Sequence, residues 1–214
     1  MRTSVIVPCA QKHVQHLQGL ITALERQTVK PDEISIACSE CAEVAPELRD
    51  KKSVIVQTNA HPALAGENRN RAAEKTKSHV LIYQDADDIP HPQRVEIIKT
   101  IFEKFEVDHL LHWFESLTAS SSTTAWERNR YNVEHVARDA YYEKYGKTGT
   151  YPFHNGNNAT SRAVFRRVRW REDLSRGQDV AYNKHVAYHF GATMARLPWP
   201  LVAYRQYLST DRKG

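Results

Sequence analysis

An apolar segment, His79-Val80-Leu81-Ile82-Tyr83-Gln84, runs directly into Asp85-Ala86-Asp87-Asp88, so three carboxylates follow one short strand within four residues. Carboxylates at that spacing repel one another, and a divalent cation removes the cost of clustering them. Hard oxygen ligands suit Mg²⁺ or Mn²⁺. Asp85 and Asp87 face the same side if strand geometry continues through them. A turn at that point instead leaves one carboxylate on the ion and the other nearer a bound sugar or ribose. Capping of the helix predicted from Pro92 accounts for one acidic residue, not for three.

Those carboxylates need a frame, and the first half of the chain predicts one. Ser4–Val7 reads as a β-branched strand, and Val14, Leu17, Leu20, Ile21 and Leu24 then recur at helical spacing. Strands are predicted at Glu33–Cys38, Ser53–Gln57, Val80–Gln84 and His109–Phe114, with helices at Asn68–Lys77 and Pro92–Phe105. Strands separated by helices imply an α/β fold with a central, mostly parallel, doubly wound sheet flanked by helices. Ligands in such sheets sit beyond the carboxyl ends of the strands, where the acidic trio stands. The second half is less regular. Asn132–Tyr145 reads as an aromatic helix, Thr148–Asn158 as an irregular Gly/Asn segment, Asp179–Phe190 as a helix and Met194–Tyr207 as extended chain. No repeat or linker divides the sequence. It is expected to form one domain over 1–214, with a nucleotide-binding half to about residue 110 and an acceptor half beyond.

The 214 residues are 41% hydrophobic and 26% charged, enough for an ordinary core. No run approaches the roughly 18 apolar residues that span a bilayer, and no signal-peptide pattern opens the chain, so a cytoplasmic protein is expected. Cys9, Cys38 and Cys41 read as reduced, structural thiols. Asn158-Ala159-Thr160 fits an N-glycosylation pattern that means nothing without a secretory route. Arg166, Arg167, Arg169, Arg171 and Arg176 suggest an anionic partner, a diphosphate or the face of an anionic membrane, alongside the plainer reading of a solvated basic surface. No helix-turn-helix, zinc-finger or RNP pattern points to nucleic acid.

In order along the chain, Ser4-Val5-Ile6-Val7-Pro8, Gln27-Thr28-Val29-Lys30-Pro31-Asp32-Glu33-Ile34, Arg69-Asn70-Arg71, Asp85-Ala86-Asp87-Asp88 and Gly177-Gln178-Asp179 form a set. This set resembles family 2 glycosyltransferases of the GT-A (Rossmann-like) fold, well over about residues 3–105 and loosely over 153–205. The resemblance implies an inverting transferase that moves a sugar from a nucleotide diphosphate donor, UDP before dTDP or GDP, to a hydroxyl of a glycan or other acceptor. It makes Asp87 the first metal ligand, with Asp85 beside it against ribose or donor sugar, and Arg69 the group that reaches the nucleotide or phosphates. Asp179 becomes the general base, and its place at a helix start favours the ionised form it needs. Pro8, Cys9, Ala10 and Ala86 would line the donor pocket. Asn157 and Asn158 would meet sugar hydroxyls, with a turn-forming Asn/Gly loop as the alternative. His154, His185 and His189 are conceivable further metal ligands. Trp113, Trp126, Tyr141, Tyr142 and Trp170 could stack on sugars, though most belong to a core.

Two departures matter. The family's second strand commonly ends in Asp-Asp-Gly-Ser, whose aspartate reads the base; here Ala37-Cys38-Ser39-Glu40 stands there, with Glu40 or Ser39 as the substitute. Gln178 replaces the glutamate that usually precedes the base. These leave a catalytically silent nucleotide- or sugar-binding module as one alternative. A sugar nucleotidyltransferase, the other, needs a glycine-rich phosphate loop after the first strand, and Pro8–His13 contains no glycine.

Overall fold

The computed structural model describes residues 1–118, 134–136, 158–190, 192–205 and 208. Four parallel strands form one side of its sheet: β1 (Thr3–Ala10), β2 (Glu33–Ser39), β3 (Val54–Thr58) and β4 (Val80–Tyr83), in the order β3-β2-β1-β4. The helices α1 (Val14–Glu25), α2 (Pro46–Arg49) and α3 (Ala65–Glu74) connect them. Two-sided burial follows from the alternation along the strands. Val5, Val7, Val80 and Ile82 face one core with Leu17, Ile21 and Leu24 of α1 and, from α4 (Arg94–Lys104), Val95, Ile98 and Ile101. Ile6, Leu81 and Tyr83 face the other, with Ala72 and Ala73 of α3. A central parallel strand is apolar on both sides because helices cover both faces.

Beyond β4 the sheet becomes mixed. β5 (Ile89–Pro90), β6 (His109–Leu117), β7 (Glu134–Val136), β8 (Asn158–Ser161) and β9 (Met194–Arg205) extend it in the order β4-β8-β6-β9-β5, with β7 also on β9. β8 runs antiparallel to both β4 and β6, whereas β9 runs parallel to β6. After β8 come α5 (Arg162–Arg167) and α6 (Gln178–His185), the latter passing into a π-helical turn at Val186–Phe190. α5 and α6 close the second core with Val164, Phe165 and Tyr182 around Trp170.

Two expectations are corrected here. Residues 134–136 are strand rather than helix, pairing antiparallel with β9; the rest of the aromatic segment predicted as helical lies outside the described residues. Asn158 opens a strand instead of closing a loop, because the slot between β4 and β6 needs an antiparallel partner to satisfy both edges. Among the described residues no helix is long and apolar enough to cross a membrane.

Candidate active site

β1 is the topological switch point: the chain leaves it for β2 on one side, and β4 pairs on the other. A cavity of about 540 Å³ opens at the carboxyl ends of these strands, where doubly wound sheets place their ligands. Pro8, Cys9 and Ala10 line it from β1, Arg69 from α3, Asp85, Ala86 and Asp87 from the loop after β4, and Asp179 from the first turn of α6. Eight residues singled out in the sequence, drawn from four separate segments, therefore meet at one opening.

The acidic loop is a turn, not extended strand. The Asp88 amide donates to the Asp85 carbonyl at 3.2 Å, so the three carboxylates fan out to different partners. Asp85 receives the Arg69 guanidinium at 2.5 Å. Asp87 stands 3.4 Å from the Nδ1 of His13. Burial pushes the Asp87 carboxyl up, but His13 first, then its own backbone amide and Arg205, outweigh it and hold the group below its ordinary value. Asp88 is buried and accepts from the Arg205 amide. Burial, then the charges of Asp85 and Asp87, push its carboxyl well above the usual range. The raised Asp88 carboxyl reflects its enclosure first and its crowding by Asp85 and Asp87 second.

The base of the loop is braced from below. Arg94 of α4 is fully enclosed and donates to the Gln84 Oε1 at 2.7 Å and to the Tyr83 carbonyl at 2.8 Å. The His112 Nε2 lies 3.3 Å from its Nε. Enclosure lowers the Arg94 guanidinium to about 9, partly countered by Asp88 and Asp85. Deep desolvation is tolerated because each donor has a partner.

Arg69 differs from expectation. Its side chain is 1% exposed, donates to Gln178 Oε1 as well as to Asp85, and lies over the Trp170 ring at 4.9 Å. It fixes Asp85 and ties α3 to α6, while its Nε has no hydrogen-bond partner among the described residues and the residue still lines the cavity. Trp170 stacks on Tyr182 at 4.0 Å and is core, not a sugar platform. Gly66, one turn before Asn70, touches the 170–171 segment so closely that a Cβ there would overlap the Arg171 carbonyl oxygen. Gly177 holds φ +67° as the residue before α6, a conformation that suits glycine and aims the Asp179 turn into the cavity.

Other residues are placed elsewhere. Glu40 is exposed with φ +55° and does not line the cavity; its amide donates to the His61 carbonyl. Ser39 is buried and spent on structure, accepting from Asn68 Nδ2 at 2.9 Å. Asn158 is fully buried between β4 and β6 and away from the cavity, which also removes it as a glycosylation acceptor. Asn157, His154, Trp126, Tyr141 and Tyr142 lie outside the described residues. Cys9, Cys38 and Cys41 are free and buried, Cys9 on the cavity wall, with burial pushing the Cys41 thiol up to about 11. Of the arginine-rich stretch, Arg169 pairs with Glu74 and Arg171 with Asp173, while Arg176 lines the cavity.

Sequence reasoning missed His13, Lys12 and Tyr204, all on the cavity wall. The first two follow the carboxyl end of β1, so the strand-end rule was signal enough to find them. Tyr204 arrives on β9 through pairings remote in sequence, and nothing local marks it.

A GT-A sheet with an acidic loop and a cavity at its switch point defines a class of nucleotide-sugar-binding folds. The profile of Glycosyl transferase family 2 matches residues 4–170, and the chain belongs to that family. No curated protein matches it in sequence. Crystal structures of S. aureus TarS share the fold. Its residues 1–349 in complex with UDP align with TM-score 0.70 and 15% identity, over 96% of this chain and 60% of that one. The complex with UDP-GlcNAc gives 0.72 and 15% over 96% and 58%, and the longer TarS structure 0.69 and 16% over 96% and 37%. The chain thus spans three fifths or less of these proteins.

Proposed function

We propose that this chain is an inverting, divalent-metal-dependent transferase that moves a sugar from a UDP-sugar donor to a hydroxyl of a glycan or other acceptor. The observation that carries the reading is the convergence of Asp85, Asp87 and Asp179 on one cavity. Its volume, about 540 Å³, falls in the range of about 300–1,000 Å³ that suits a small ligand. The UDP and UDP-GlcNAc in the TarS crystals support the choice of donor. Residues 1 to about 110 supply the donor side and the remainder the acceptor side of a single domain.

The donor set fits Mn²⁺ or Mg²⁺. Asp87 faces the cavity and is held ionised, with Asp85 beside it on the same wall. Among the described residues no group of three or more side chains is arranged to hold an ion. Such ions are commonly held by one or two carboxylates together with substrate phosphates. Asp87 would hold the cation, which would supply charge neutralisation to the leaving diphosphate. Asp85, oriented by Arg69, accepts from ribose or donor-sugar hydroxyls. Asp179, across the cavity, takes the proton of the attacking hydroxyl, a contribution of roughly 10²- to 10⁴-fold. Attack from the side opposite the leaving group inverts the anomeric carbon.

The test is thermal denaturation with UDP-sugars, with and without Mn²⁺. Donor at about 100 times its Kd should stabilise the fold by about 2.7 kcal/mol, only when metal is present. Asp87→Ala should abolish the shift. Asp179→Asn should keep the shift and lose transfer by the factor above; turnover that survives this change removes the base assignment. A silent module on the same fold would bind donor yet show neither transfer nor slow hydrolysis.

A further inference from the structure

We propose that His13 is the second protein ligand of the divalent cation, sharing it with Asp87 across the gap between the ends of β1 and β4. This rests on the metal-dependent reading above. Of the three acidic-loop carboxylates, two are already engaged. Asp85 is bound to a buried guanidinium, and Asp88 lies beneath the surface against the Arg205 amide. Asp87 lines the cavity with no arginine of the described residues on its carboxylate oxygens, and one carboxylate is a thin protein contribution for a divalent ion. His13 stands on the same wall. It precedes α1 at the N-cap position, yet its side chain makes no capping hydrogen bond. Its ring turns to Asp87 instead.

The separation leaves room for a shared ion. A charge-assisted N–H···O bond closes to about 2.7–2.9 Å, and His13 Nδ1 stays 3.4 Å from Asp87 Oδ2. Two neighbouring ligands of a six-coordinate ion, with bonds of about 2.1 Å at right angles, stand about 3 Å apart. Both side chains are largely shielded, 17% and 15% exposed, so little rotamer freedom remains to be lost on closing round a cation. His16, one turn on at 6.2 Å between ring centroids, is the poorer candidate because it does not line the cavity. An imidazole ligand also carries a consequence for selectivity. It raises affinity along the series from Mn²⁺ to Co²⁺ and Ni²⁺ and does least for Mg²⁺, which prefers oxygen.

The decisive measurement is pulsed EPR (electron spin-echo envelope modulation) of the full chain loaded with Mn²⁺ and UDP, with histidine uniformly ¹⁵N-labelled or unlabelled. Directly bound imidazole nitrogen should modulate the echo of the wild-type protein and change with the isotope. His13→Ala should abolish the modulation and weaken Mn²⁺ binding by on the order of 10- to 100-fold, while weakening Mg²⁺ binding less. His16→Ala should keep the modulation. Mn²⁺ bound without histidine modulation in the wild type, or modulation that survives His13→Ala, overturns this inference and leaves metal dependence standing. Wild-type protein that binds no Mn²⁺ even with UDP overturns both. The wild-type spectrum does not depend on whether any variant folds.

Discussion

Removing the Asp85 carboxylate should damage the fold, whereas removing Asp87 should damage ligand binding, although the two are a single residue apart. Arg69 is 1% exposed and Asp85 27% exposed at 2.5 Å. Breaking a fully buried pair by deleting one partner costs about 3–5 kcal/mol, because the remaining charge is stranded. Water reaches Asp85, so the Coulombic part is screened, and we expect about 2–3 kcal/mol for Asp85→Ala. For a chain of this size each kcal/mol moves Tm by about 2–4 °C, giving a loss of roughly 5–10 °C in scanning calorimetry without ligand. Arg69→Met removes the stranded charge, so the double variant should be more stable than the sum of the singles by about 0.5–3 kcal/mol. Asp87→Ala, which abandons no fully enclosed cation, should melt closer to wild type and fail to respond to donor with Mn²⁺. Additive single changes, or an Asp85→Ala protein melting within about 1 °C of wild type, would refute the argument that Arg69 is a strut and return it to the role of a phosphate-binding group.

Further expectations concern the second core and the pH response. Gly66→Ala should destabilise by at least the roughly 1–3 kcal/mol of overpacking, since its methyl would meet the Arg171 backbone; chemical denaturation checks this, and an unchanged midpoint would show that the 170–171 segment yields freely. His109 is fully buried with one ring nitrogen against the Asn183 Oδ1 at 2.9 Å and the other without a partner, and burial lowers it to about 4. Below pH 6.5 the unfolded chain takes up a proton there that the folded chain refuses, so stability present at neutral pH is lost as pH falls toward 4, by up to roughly 3 kcal/mol. Urea titrations at pH 7 and 5 should show a smaller loss for His109→Gln than for wild type; equal losses would place the acid sensitivity elsewhere. Cys9, Cys38 and Cys41 should resist alkylation until the protein unfolds, as counted by mass spectrometry, because they are buried thiols.

The strands and helices of the first half were legible because their residues repeat at the local periods. Val5 and Val7 alternate with Ile6 across a sheet covered on both faces, and Leu17, Leu20 and Leu24 recur along one side of α1. The acidic loop was legible too, since three carboxylates after a buried strand require a reason that local chemistry can name. Partners were a different matter. Whether Asp85 or Asp87 stays open to a ligand depends on Arg69, 16 residues upstream, and His13, 74 residues upstream. Glu40 read as a base contact until its φ of +55° turned it outward, and Asn158 as a sugar contact until β4 and β6 enclosed it. By itself the sequence determined that an α/β sheet presents an acidic turn beyond its fourth strand. Only the tertiary structure decided which partner each carboxylate takes and which histidine stands beside Asp87, because charge pairing and burial are set by neighbours in space that the chain order does not reveal.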